Sequence, residues 1–145
     1  MGPWAFDLLI LFRGFSMAAY EHLPIFKKLM DLAVFMEETA SRFPRYHKYT
    51  LGSELRMLCH RALALVVEAN STAERYRVLL GLRLVLERIK IHLMIAREVR
   101  AYQSPHAFAR ATEMTVDLCR QNEGWIKSTA ARAGKPEPNP RSPRP

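Results

Sequence analysis

Four stretches of this chain place apolar residues every three or four positions, and none alternates apolar with polar residues as a half-buried strand would. The first predicted helix runs from about Leu23 to Arg42, with Phe26, Leu29, Met30, Ala33, Phe35 and Met36 as its core side. The second runs from Leu51 to Asn70, with Leu51, Leu55, Leu58, Ala62, Leu65 and Ala69 in a four-three series. Asn70-Ser71-Thr72 stops it, and Ser71 or Thr72 is placed to cap a third helix that continues to about Tyr102. Ser104 as cap and Pro105 in the first turn open a fourth helix, which ends near Ala133-Gly134. The predicted fold is all-α, an up-and-down four-helix bundle over residues 20–133. Residues 1–19 form an N-terminal extension, and the proline-rich basic tail 134–145 is expected to be disordered.

The third helix carries more apolar surface than one bundle needs. Leu79, Leu82, Leu86, Ile89 and Leu93 share one side, while Leu80, Leu84, Ile91 and Ile95 share a second, roughly opposite side. One side can bury in the chain's own core, and the other calls for a further partner. A second copy of the chain is the simplest; a different protein, or a central position for this helix in its own bundle, are the alternatives. Between the two sides runs a basic stripe of Arg83, Lys90 and Arg97. Arg75 and Arg100 lie close to its line, and Arg56 and Arg61 of the second helix extend it. The stripe is expected to contact nucleic-acid phosphate or an acidic partner, against the plainer alternative of a solvated face paired with Glu87 and Glu98.

The connection Phe43-Pro44-Arg45-Tyr46-His47-Lys48-Tyr49-Thr50-Leu51-Gly52 sets basic side chains among aromatic ones. Pro44 ends the first helix, because its ring excludes the helical conformation from the residue before it. Thr50 is placed to cap the second helix, with Glu54 favouring the positive end of its dipole. Cations and aromatics beside a helix start suit phosphates and bases, and Arg45 and Lys48 join the candidate contact residues. The competing reading is a helix–helix turn with solvated charges.

Charge sharpens this picture. Twenty-two Lys and Arg face 14 Asp and Glu among 145 residues, for a net charge of +8 and a pI near 9.9. The tail from residue 132 carries +3 and residues 1–16 carry none, so +5 belongs to the body. A basic folded body points to a polyanion or an acidic protein. Residues 4–12 form an apolar run too short to span a bilayer, read as sequence upstream of a start at Met17 in preference to an apolar N-terminal helix. Cys59 and Cys119 are expected to be small buried residues of a reducing, cytoplasmic protein. The five histidines show no metal-binding spacing. No phosphate loop, nucleophile elbow or dinucleotide turn occurs, so neither a metal, a cofactor nor an enzymatic activity is expected. Gly81 and Gly124 lie inside helical patterns, where each costs about 1 kcal/mol against Ala; Gly124 beside Trp125 allows a close helix approach, but a tolerated core glycine is the favoured reading.

Three segments carry a family resemblance: Tyr20-Glu21-His22-Leu23-Pro24-Ile25, the connection Phe43 to Gly52, and Arg120-Gln121-Asn122-Glu123-Gly124-Trp125-Ile126-Lys127-Ser128. Together they resemble Avd, the four-helix-bundle accessory variability determinant of diversity-generating retroelements, over about Tyr20 to Ser128. The proteins encoded in bacterial ribosomal-RNA intervening sequences share that bundle. The resemblance implies a homopentameric barrel that binds a reverse transcriptase and template-repeat RNA, and supports mutagenic cDNA synthesis without catalysing it. The family offers no short motif to map residue by residue. The alternative is an oligomeric helical scaffold for an acidic protein partner, with no nucleic-acid role.

Overall fold

In the computed structural model, which describes residues 19–134, four long helices account for most of the described residues. The predicted extension up to residue 18, its apolar run and the proline-rich tail from residue 135 lie outside the described residues. After a 3-10 turn at Ala19–His22 come α1 (Pro24–Ser41), a one-turn helix at Arg45–Lys48, α2 (Leu51–Ser71), α3 (Arg75–Glu98) and α4 (Pro105–Ala133). Sequential helices pack side by side, and α4 closes the ring against α1. No strand occurs among the described residues, and none of their helices is long and apolar enough to cross a membrane.

The helix boundaries follow from local chemistry. Pro24 sits in the first turn of α1, where its missing N–H costs nothing. Ahead of Pro44, α1 closes by bonds from Arg42 N–H to the Thr39 carbonyl and Phe43 N–H to the Ala40 carbonyl, both 3.1 Å. Ser104 caps α4 as expected, accepting from the His106 N–H at 3.2 Å.

Three expected boundaries differ. The Thr50 side chain does not cap α2, because its hydroxyl turns back to donate to the Tyr46 carbonyl at 2.8 Å. Ser71 and Thr72 do not cap α3. Ser71 is the last residue of α2 and bonds its own helix's carbonyls, while the Thr72 hydroxyl accepts from Glu74 N–H in the turn before α3 begins. At the far end α3 stops at Glu98, four residues short of Tyr102, where Arg100 enters the left-handed region at φ 57°.

The core draws on every helix: Leu29, Leu32 and Met36 of α1, Leu55 and Val66 of α2, and Leu118 of α4 are almost wholly buried. The largest share comes from α3, whose Leu79, Leu82, Leu86, Ile89 and Leu93 are at most 1% exposed. Each such side chain contributes about 2 kcal/mol by leaving water. On α1 the true stripe is Ile25, Leu29, Leu32, Ala33, Met36 and Ala40. Met30, expected in the core, lies one step around the helix and is exposed, while Phe26 and Phe35 are half-buried. Cys59 is buried and Cys119 half-buried. Burial pushes the Cys59 thiol up to about 12.

Candidate functional site

The connection between α1 and α2 is a short helix with firm anchors. Pro44 leaves its carbonyl to accept from the N–H groups of His47 and Lys48, each at 2.9 Å. Phe43 is buried and meets the Tyr102 ring edge-on at a centroid distance of 5.3 Å. That contact ties the corner to the turn between α3 and α4. Gly52 lets the start of α2 pack closely on α1 and the short helix: a Cβ there would lie 3.2 Å from the Ala40 Cβ and 3.3 Å from the His47 carbonyl oxygen. Gly124 and Gly81 show no such close approach, since a Cβ at either would meet nothing within 4 Å, which agrees with glycines that are simply tolerated in their helices.

On these anchors the corner presents its polar and aromatic groups outward. Tyr46 and Tyr49 are 78% and 67% exposed. The Tyr46 ring stands edge-on to the His47 ring at 5.2 Å, and the Lys48 Nζ lies 5.7 Å from the Tyr49 ring centroid. Arg45 is exposed, and neither it nor Lys48 forms an ion pair among the described residues.

The basic stripe of α3 has a different environment, because it lies along the seam with α4. Arg83 holds Glu123 with two bonds, Nε to Oε1 at 2.6 Å and Nη2 to Oε2 at 2.8 Å. That pairing holds the Glu123 carboxyl below the usual glutamate value. Lys90 bonds Glu87 at 2.7 Å, one turn back on its own helix. Arg97 bonds Glu98 at 3.1 Å and lies 4.8 Å over the ring of Phe108 on α4. Across the α1–α2 seam, Arg56 bonds Glu37 at 2.7 Å and, with help from His60, holds that carboxyl low as well. Of the six cations chosen as contact candidates, Arg56, Arg83, Lys90 and Arg97 have carboxylate partners; among the described residues Arg45 and Lys48 at the corner form no ion pair, and nor do Arg61, Arg75 and Arg100 beside the stripe. Glu123 and Glu37 were the partners that spacing along one helix could not reveal, since both pairs join different helices.

The second apolar side of α3 remains uncovered. Leu84, Ile91 and Ile95 are 66%, 48% and 44% exposed, and Leu80 is half-buried. Tyr76 and Met94 add exposed apolar surface on the same side of the helix. Glu98 falls at the same angle as Leu80 and Glu87 between Leu80 and Met94, so two acids interrupt this side, while Arg88 borders its other edge.

No group of three or more His, Cys, Asp or Glu side chains among the described residues is placed to hold a metal ion. An open groove of about 550 Å³ lies between α1 and the start of α4, bordered by Arg42, Thr39, Ser104 and His106. No protein-family model matches the chain, and no curated protein matches it.

Proposed function

We propose that the chain is a non-catalytic accessory subunit of a diversity-generating retroelement, binding the reverse transcriptase and the template-repeat RNA to support mutagenic cDNA synthesis. It does so as an assembly of identical subunits, a homopentamer by resemblance. The observation that carries this reading is the uncovered apolar line of α3, opposite a side buried almost completely in the chain's own core. Such a line calls for a protein surface against it, and closed symmetric assembly is the common solution. The basic body supports a polyanionic partner, and the three resembling segments supply the element's polymerase and RNA as the specific partners.

The second reading is an oligomeric scaffold for an acidic protein. Arg56, Arg83, Lys90 and Arg97 already hold carboxylates, so the stripe offers less free charge to either anionic partner, phosphate or acidic protein, than its sequence suggests.

Two measurements test the proposal. Light scattering should give a mass several times that of one chain, and Leu84→Glu with Ile91→Glu should return it to a helical monomer; a monomeric parent protein removes the assembly. Co-expression with the reverse transcriptase encoded nearest to its gene should give co-purification that survives nuclease. Loss only after nuclease leaves RNA as the bridge, and no co-purification in either condition rejects the accessory role in favour of the scaffold.

A further inference from the structure

We infer that the α1–α2 corner is a docking site for single-stranded nucleic acid, with unpaired bases stacking on Tyr46 and Tyr49 and phosphates held by Arg45 and Lys48. The inference rests on the RNA-binding half of the function proposed above and gives it a place on the molecule. Three observations carry it.

The first is the exposure of the two tyrosines, 78% and 67%, three residues apart on one short turn. Within the fold the Tyr46 ring meets the His47 ring and the Tyr49 ring takes the Lys48 Nζ on one side, and neither phenol hydroxyl bonds to another described residue. Flat aromatic faces held in water are suited to base stacking, which tolerates any sequence because every base has a π-face.

The second is charge. Residues 42–50 contain Arg42, Arg45 and Lys48 with no acid among them. Unlike Arg83, Lys90 and Arg97 of the α3 stripe, which are each matched by a carboxylate on the same or the next helix, Arg45 and Lys48 form no ion pair with a described residue. Free cations beside exposed rings are the combination that tracks a single strand, whereas a duplex hides its base faces.

The third is rigidity. The turn is held between buried Phe43 on one side and the close contact of Gly52 with Ala40 and His47 on the other, and the Thr50 hydroxyl fixes the Tyr46 carbonyl. The rings are therefore presented on a fixed support, which lowers the ordering cost of binding. An acidic peptide would use the cations but would leave the two rings without a role.

The test is fluorescence anisotropy of the full chain with a labelled oligouridine, with a duplex RNA of the same length as comparator. Tyr46→Leu with Tyr49→Leu should weaken oligouridine binding roughly ten-fold or more, while Tyr46→Phe with Tyr49→Phe should leave it within about two-fold, because stacking needs the ring and not the hydroxyl. Arg45→Ala with Lys48→Ala should lower the slope of log affinity against log salt by about 1.4, the contribution of two phosphates on a single strand. Duplex binding should be indifferent to the leucine changes. Circular dichroism checks each variant, and the exposed positions predict no loss of helix. If the parent chain binds RNA and the leucine variant binds equally well, the corner inference falls and RNA binding elsewhere on the molecule stands. If the parent binds no RNA but binds polyglutamate, the RNA half of the functional proposal falls and takes this inference with it.

Discussion

Asn122 is 1% exposed and spans the gap between α4 and α3, its Nδ2 donating to the Leu79 carbonyl at 3.1 Å while its Oδ1 finds no partner. The carbonyl it faces already belongs to the α3 backbone ladder, so the amide adds a bond that fixes how the two helices sit against each other. Exchanging the amide nitrogen for oxygen reverses the chemistry of that contact. Asn122→Asp places a carboxylate against a carbonyl, buried and without a donor, and it is expected to destabilise the fold by about 3 kcal/mol at neutral pH. Burial would raise the new carboxyl above its unfolded value, so the folded state would hold its proton longer and the deficit should shrink as the pH falls. Urea unfolding of the two proteins at neutral and acidic pH reads this directly, and equal stability at neutral pH would mean that water reaches the site. The sequence placed Asn122 in a helix without showing which way it points. Burial of a polar residue depends on the facing helix, here on Leu79, 43 positions away.

At the scale of the helix, the end of α3 shows what periodicity reads well and what it misses. The apolar series through Leu79, Leu82, Leu86, Ile89 and Leu93 gave the buried side correctly, and the surplus of Leu84, Ile91 and Ile95 is indeed exposed, because both sets follow from the helical repeat alone. The stop was invisible because no glycine marks it. Arg100 takes the left-handed conformation, its N–H bonds the Arg97 carbonyl at 3.0 Å, and Ala101 N–H reaches back to the Ala96 carbonyl at 2.9 Å. This is the Schellman pattern with arginine where glycine is usual. Tertiary contacts hold it: Ala101 is buried, and Tyr102 donates to the Leu93 carbonyl at 2.9 Å while packing on Phe43 and Phe108. The stripe on α3 was similarly half legible. Its alignment was right, but the carboxylate of Glu123 that neutralises Arg83 arrives from another helix. Because a side chain in the left-handed region costs about 1 kcal/mol or more, Arg100→Gly should stabilise the chain by roughly that amount. Thermal unfolding would register a rise of several degrees. A fall would show that the Arg100 side chain contributes more than its backbone costs.

Over the whole molecule, these groups set opposite limits on stability at the two ends of the pH scale. Glu37 and Glu123 are held below the ordinary glutamate value of 4.5 by their bonds to Arg56 and Arg83. A folded-state value below the unfolded one means that the unfolded chain takes up protons first as the pH falls. The stability from these pairs is complete above about 4.5 and is lost on acidification below it. Both pairs are solvent-exposed, so the acid loss is shallow and shrinks further at high salt. The alkaline side has a different origin. Burial pushes the Cys59 thiol from 9.0 up to about 12 and raises the Tyr102 hydroxyl too. Here the unfolded chain gives up its protons first, so stability is complete below 9.0 and falls as the pH rises above it. Desolvation in the core is not screened by salt as exposed ion pairs are, so the alkaline arm should be the steeper and the less salt-sensitive. Chemical denaturation across the pH range separates the two causes. Glu37→Gln should flatten the acid arm and ease the alkaline one only slightly, since the Glu37 charge adds a lesser push to the Cys59 thiol beside its burial, whereas Cys59→Ala should flatten the alkaline arm and leave the acid one, at the cost of a small cavity. An alkaline arm unchanged in Cys59→Ala would assign that slope to Tyr102, and the hydroxyl that braces the end of α3 against Leu93 would then be the group that first fails in base.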